Sequence, residues 1–369
     1  MSKRRWLPLA ALAVVVAALG VVGCGGGDDE AEELIPITLQ SKWVVQAQFA
    51  GYYAAVDQGF YEDEGLDVTI RAGGPDIVPE QVVLGGQAEF GIDWLDNLLA
   101  TRDQGQDLVN VAQVFTRSGM TEITWADSGL DEITDLRGKK VGVWLGGNEH
   151  KLFAALTKNG IDPQKDANVV AQPFDMNLFL SREVDAAAAM TYNELAQVLE
   201  VENPDTGGLY QLEDLNVFRM SELGTGALED GIFVRGDWIA DEANQDIAIR
   251  FLKASFRGWI FCRDNPDECV DIVLANGPTL GAGHQAWMMN EINDLIWPAP
   301  LGIGVMDPQS FEITNQIATD YEIIKQPATE DAYRTDLAEA AVQELEDDGE
   351  DVNGEDWTKP EVEVTPGGE

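Results

Sequence analysis

The chain has 369 residues, 45% of them hydrophobic, enough to bury a substantial core and to divide into two lobes of ordinary domain size. Its formal charge is −43, and subtracting the three basic residues of its first segment (Lys3, Arg4, Arg5; −43 − 3) leaves −46. So acidic a surface excludes nucleic acid as a partner and disfavours direct contact with anionic lipid headgroups, while suiting a saline exterior or a need for solubility.

At the N-terminus, Lys3-Arg4-Arg5 is followed by an apolar run over residues 7–22 and then by Val21-Val22-Gly23-Cys24. The run falls short of the ~20 residues a comfortable membrane span needs, so it reads as an export leader. Its end resembles the lipobox of exported lipoproteins, in which cleavage precedes the cysteine and Cys24 carries the lipid. The Arg4-Arg5 pair is compatible with twin-arginine export or with an ordinary basic start. GGGDDEAEE then reads as a flexible, charged spacer (residues 25–35) that holds the folded part off the membrane surface.

From residue 36, short apolar strands alternate with amphipathic helices. The pattern predicts strand 37–43, helix 49–58 closed by Gly59, strand 66–71, helix 79–84, strand 90–92, helix 94–103 and strand 108–115. This βαβαβαβ series calls for a parallel sheet. A second series follows Ser128-Gly129: strand 140–145, helix 149–158, strand 168–172, helix 176–181, strand 186–190 and helix 193–200. A strand at 231–235 precedes helical segments 244–262, 266–275 and 286–295, more than the second unit needs, and these are assigned to the first.

The expected fold is therefore α/β with two lobes: residues 36–125 plus 232–340, and residues 126–231. The chain would cross between them near 121–128 and 225–233, making a hinge. Residues 341–369 form an acidic tail, with eleven acids and one Lys from Val342 onward, and are expected to be disordered. Cys262 and Cys269, separated by RDNPDE, read as a disulfide in an exported chain. The chain holds only His150 and His284, neither near a Cys in sequence, so no metal centre is expected.

In parallel α/β sheets ligands collect beyond the carboxyl ends of the strands. There the first unit places Trp43, Gln46, Gln48, Phe49 and Tyr52, then Asp93 and Trp94, then Thr116 and Ser118. The second places Trp144, Gly146, Gly147 and Asn148, then Phe174, then Tyr192 and Glu194, with Asp230 between the lobes. Taken singly, Phe49, Tyr53 and Phe174 suit core packing, although Phe49 also stands with the strand-end candidates. Trp43, Tyr52, Trp94, Trp144 and Tyr192 suit ligand contact. Gly146-Gly147 is either a bare tight turn or a pair whose amides face the cleft. Rings and neutral hydrogen-bonding groups dominate, and Arg117 is the only close basic candidate. This composition favours a planar, largely uncharged heteroaromatic ligand and argues against phosphate, sulfate or sulfonate.

The run W-x₅-F-A-G-Y-Y-A-A-x-x-x-G-F-Y-x-x-E-G-L-D-V over residues 43–68, with GGQAEFGI (85–92), DLRGKKVGV (135–143) and FLKASFRGWIFCRDNPDECVDIVL (251–274), resembles a known family. Its members are substrate-binding proteins of ABC importers for thiamine-pyrimidine precursors, riboflavin and aliphatic sulfonates. The resemblance spans most of residues 36–300. It implies a type II periplasmic-binding-protein fold that closes on a small molecule and, as a monomer without a cofactor, delivers it to a permease and its ATPase. One branch, thiamine pyrimidine synthase, is enzymatic: it holds pyridoxal phosphate on a Lys and consumes a His in a Lys-x₃-His stretch, near a Cys-rich segment. Here the matching positions are Asp93 and Asn97, and GALED (226–230) stands where the cysteines would be, so catalysis is not expected. Among ligands of the family, riboflavin comes first, because its tricycle can occupy several rings and its uracil-like edge suits Asn, Gln or Asp. A formylaminopyrimidine, paired with Asp93 or Glu194, is the alternative.

Overall fold

The computed structural model describes residues 33–369; the leader with Cys24 and most of the spacer lie outside the described residues. The first half runs β1 (Ile35–Gln40), α1 (Ala50–Asp57), α2 (Phe60–Asp63), β2 (Leu66–Arg71), α3 (Pro79–Leu84), β3 (Phe90–Asp93), α4 (Leu95–Asp103), β4 (Leu108–Gln113) and β5 (Met120–Trp125). It continues with β6 (Lys140–Val143), α5 (His150–Lys158), β7 (Asn168–Ala171), α6 (Asn177–Leu180), β8 (Ala186–Met190), α7 (Glu194–Leu199) and β9 (Leu215–Arg219). The last part comprises β10 (Gly231–Arg235), α8 (Gly236–Ile239), α9 (Glu242–Asp264), α10 (Pro266–Asn276), α11 (Ala282–Ile296), α12 (Pro308–Asp320) and α13 (Asp336–Asp347).

Two five-stranded sheets result, in the orders β2-β1-β3-β10-β4 and β7-β6-β8-β5-β9. Each is mixed where a parallel sheet was expected. β10 runs antiparallel to β3 and β4, and β5 antiparallel to β8 and β9. The reversed strand in each sheet is the one that has just arrived from the other lobe.

β5 also corrects the lobe boundary, because residues 120–125 belong to the second sheet. The first crossing thus lies at 114–119 and the second at 220–230. The strand escaped the sequence reading because MTEITW buries Thr121, Glu122 and Thr124, letters that usually mark an exposed face. The two crossings are tied together by Glu229, whose carboxylate accepts from the Ser118 hydroxyl at 2.6 Å and the Gly119 N–H at 2.8 Å.

On the first lobe α9 crosses α1 at glycines. A Cβ on Gly258 would lie 2.0 Å from the Gly51 carbonyl, and one on Gly51 would lie 2.2 Å from the Trp259 ring, so only glycine allows the approach. Asp241 caps α9 by accepting from the Ala243 N–H. Cys262 and Cys269 form a disulfide at the α9–α10 corner.

The acidic C-terminal segment is structured, contrary to the expectation of disorder. Leu337, Ala338, Ala341, Val342 and Leu345 make an apolar stripe at helical spacing, and α13 lays it against α9 with its acids turned outward. The remaining segment runs back along α11. Lys359, its single Lys, pairs with Glu291 at 2.5 Å and Asp294 at 3.3 Å, and the Gly367 N–H donates to the Glu200 carbonyl at 2.9 Å on α7.

Candidate functional site

Between the carboxyl ends of the two sheets lies a cleft of about 440 Å³. The first jaw contributes Lys42, Trp43 and Gln46 after β1, the 74–80 loop and start of α3, and Asp93, Trp94 and Asn97 at the β3–α4 junction. The second contributes residues 144–148 after β6, His150, Phe174 after β7, and residues 190–194 after β8. Of the expected contacts, Trp43, Gln46, Gln48, Asp93, Trp94, Trp144, Gly146, Gly147, Asn148, Tyr192 and Glu194 line this cavity.

The others do not. Phe49 is fully buried, and Tyr52 meets Trp259 edge-on at 5.6 Å in the first-lobe core. Thr116 spends its hydroxyl on the Leu295 carbonyl, and Ser118 spends its own on Glu229. Asp230 lies one layer behind the wall: Gln46 Nε2 donates to Gln48 Oε1 at 2.6 Å, and Gln48 Nε2 donates to Asp230 Oδ2 at 2.8 Å. Arg117 donates to backbone carbonyls of Asp294, Trp297 and Pro298 beside a separate cavity of about 370 Å³.

Phe174, assigned to core as a single ring, is 42% exposed and lines the cleft. Its ring meets Trp43 of the opposite jaw at 4.4 Å and lies parallel to Trp144 at 6.4 Å, with 9° between the planes. The Trp144 indole N–H donates to the Pro173 carbonyl and fixes that ring. Gly146 and Gly147 have φ of 97° and 112°. A Cβ on Gly147 would lie 2.6 Å from Asn97 Oδ1, so the turn must be glycine for the second jaw to reach the first. The Gly147 N–H is taken by Glu149 Oε2 at 2.8 Å, so this amide serves the turn.

The sequence reading named Asp93 but missed Lys42 and Glu80 beside it. Lys42 Nζ pairs with Asp93 Oδ1, which also accepts from the Trp94 N–H at 2.6 Å and Asn97 Nδ2 at 3.1 Å. Burial alone would lower the Lys42 ammonium, but Asp93, with Glu80 and Asp230, holds it above its ordinary value. Glu80 is 1% exposed, and burial and then the Asp93 charge push its carboxyl well above its ordinary value. Only their neighbours in space could have revealed these groups, since Lys42 and Asp93 lie 51 residues apart.

Across the cleft, Lys151 of α5 is wholly buried, with Nζ 3.5 Å from both carboxylate oxygens of Asp96 on α4. His150 Nδ1 stands 3.6 Å from the same carboxylate. Burial would raise the Asp96 pKa, and the Lys151 charge with His150 instead draws it down to about 2. The Trp94 ring carries both ammonium groups, Lys151 at 3.7 Å and Lys42 at 4.7 Å from its centroid. Glu194, on the second jaw, accepts from the Met190 N–H at 3.0 Å and is raised by burial to about 7.

The NMT1/THI5-like family profile matches residues 46–269, which include all of the cleft's lining except Lys42 and Trp43. The chain belongs to the NMT1/THI5-like family. Within it, the chain is 24% identical over 271 residues to a formylaminopyrimidine-binding protein of Halalkalibacterium halodurans, covering 72% of this chain and 78% of that one. It is also 24% identical over 305 residues to a riboflavin-binding protein of Chloroflexus aurantiacus, covering 79% and 82%. Among solved structures, a putative periplasmic sulfonate-binding protein of Methylobacillus flagellatus aligns with a TM-score of 0.59 at 16% identity, over 90% of this chain and 99% of that one. That likeness establishes the shared two-lobed periplasmic-binding fold of this NMT1/THI5-like chain.

Proposed function

We propose that the protein is the extracytoplasmic solute-binding component of an ABC importer, tethered through Cys24, which captures a flavin such as riboflavin and presents it to a permease by hinge closure. The observation that carries this reading is the cleft of about 440 Å³ into which Trp43, Trp144, Phe174 and Tyr192 bring rings from both jaws. That volume lies within the range of sites for drug-sized ligands and exceeds what a single six-membered ring fills. The basic groups nearby are already matched, Lys42 by Asp93 and Lys151 by Asp96, so an anionic ligand would find no free cation in them.

Each jaw covers part of the ligand, so the ligand favours the closed state and shifts the hinge toward it. The reading assigns no chemistry to the site. Lys42 does bring an amine beside Asp93, but as an ammonium in an ion pair it is not a nucleophile.

A formylaminopyrimidine is the second reading, favoured by Glu194, a buried carboxyl lining the second jaw. Titration of intrinsic tryptophan fluorescence separates the two. Riboflavin should quench the emission with micromolar or tighter affinity, about 8 kcal/mol of binding free energy. An absence of quenching, with thermal stabilisation by an aminopyrimidine, would select the alternative.

A further inference from the structure

Behind the second jaw, α11 reaches across from the first lobe. It packs on α10 and on residues 47–49, where Gln285 Oε1 accepts from the Ala47 N–H at 2.8 Å. His284 and Trp287, three positions apart and so on one face of α11, are bonded to the second lobe. The Trp287 indole N–H donates to the Thr191 carbonyl at 2.9 Å. His284 stands between the two ends of the short helix α7: its Nε2 lies 2.9 Å from Asn193 Oδ1 just before the start, and its Nδ1 lies 2.7 Å from Glu200 Oε1 just past the end. Asn193 and Glu200 are seven positions apart and share a helix face, which lets one ring meet both. The end of the chain covers the pair: the Gly367 N–H donates to the Glu200 carbonyl, and a Cβ on Gly368 would lie 2.8 Å from His284 Cβ and 3.0 Å from Glu200 Oε2.

The bonds around Asn193 fix its orientation. Its Nδ2 donates to Glu194 Oε1 at 2.9 Å, and its Oδ1 accepts from Gln197 Nε2 at 3.3 Å, so the amide turns its oxygen to the imidazole and His284 Nε2 donates to it. Glu194 Oε2 accepts from the Met190 N–H at 3.0 Å, and Met190, Asn193 and Glu194 all line the cleft. Each Glu194 oxygen takes one protein donor and keeps a lone pair for another. We infer that His284 is a positioning residue of the ligand site: gripped by Glu200, it fixes Asn193, and Asn193 fixes the Glu194 carboxyl in the wall of the second jaw. The first lobe thus sets a polar group of the opposite jaw from behind. This goes beyond the flavin reading, because it concerns how the wall is held and not which ring meets it.

The test titrates riboflavin into the full chain by fluorescence quenching, with melting curves to confirm folding. His284→Leu and Asn193→Ala should each weaken binding about tenfold, and the double variant should lose no more than the worse single one, because His284 acts through Asn193. Losses that multiply in the double variant, or unchanged affinity per folded molecule in His284→Leu, would overturn the inference. A second measurement needs neither ligand nor a variant of His284. The chain has only His150 and His284, so nitrogen NMR with labelled histidine reads both rings, and His150→Gln assigns them. A proton on His284 Nε2 is expected, and a bare Nε2 overturns the positioning role. Failure of the wild-type chain to bind riboflavin overturns the flavin reading alone, and the same variants are then compared on a formylaminopyrimidine with the same expected pattern.

Discussion

The two jaws of the cleft are built on opposite plans. The first is polar and buried at its floor, where Lys42 pairs with Asp93 over Trp94 beside the buried Glu80. The second presents rings and is partly open, with Leu145 52% and Phe174 42% exposed, Trp144 beside them and the glycine turn at 146–147 letting it approach. The first jaw offers fixed polar groups to the cleft, and the second offers rings. The two are joined across the cleft by Lys151 and Asp96.

That junction offers the largest effect. Lys151→Met leaves buried Asp96 facing only His150, which should destabilise the closed form by about 3–5 kcal/mol, read as faster ligand release and a lower melting temperature. The double variant Lys151→Met with Asp96→Leu should recover most of the loss. If the single variant costs nothing, the pair does not hold the jaws together.

Next comes the division between ring contacts and core. Tyr52→Ala should cost about 3–5 kcal/mol of stability with ligand affinity per folded molecule unchanged, because it empties the space beside Trp259. Trp144→Ala should do the reverse, weakening riboflavin about tenfold or more while shifting the melting temperature little. Loss of both properties in either variant would erase the distinction.

Acidity probes both jaws at once. Glu194 and Asp230 each stand at about 7, raised first by burial from ordinary values of 4.5 and 3.8. A carboxyl with a raised folded pKa stabilises the protein fully below its unfolded pKa, and this contribution is lost as pH rises toward the folded one. Stability should therefore fall between about pH 4 and pH 7, and Glu194→Gln with Asp230→Asn should flatten that slope in melting curves. A slope unchanged by both substitutions would place the titration elsewhere. The smallest effect belongs to the C-terminal segment: Lys359→Ala removes a partly exposed ion pair and should change stability by less than about 1 kcal/mol.

The two tandem α/β units and the gathering of rings at strand ends were legible in the sequence because hydrophobic periodicity is a local signal. What escaped depended on partners distant in the chain. β5 buries Thr121, Glu122 and Thr124, and periodicity assigns such letters to solvent. α13 hid behind its acids, which cover one face of a helix whose other face packs on α9. Lys42 and Glu80 carry no local signal of a site, and only the fold lines the cleft with both of them and Asp93. Arg117 looked like a cleft cation, yet the fold turns it onto the carbonyls at the end of α11.

The most direct measurement is native mass spectrometry of the protein as purified from its own cells, with identification of the small molecule it retains. A single flavin per chain is the expected result. A retained aliphatic sulfonate, inorganic anion or other ligand without a planar ring would contradict the account.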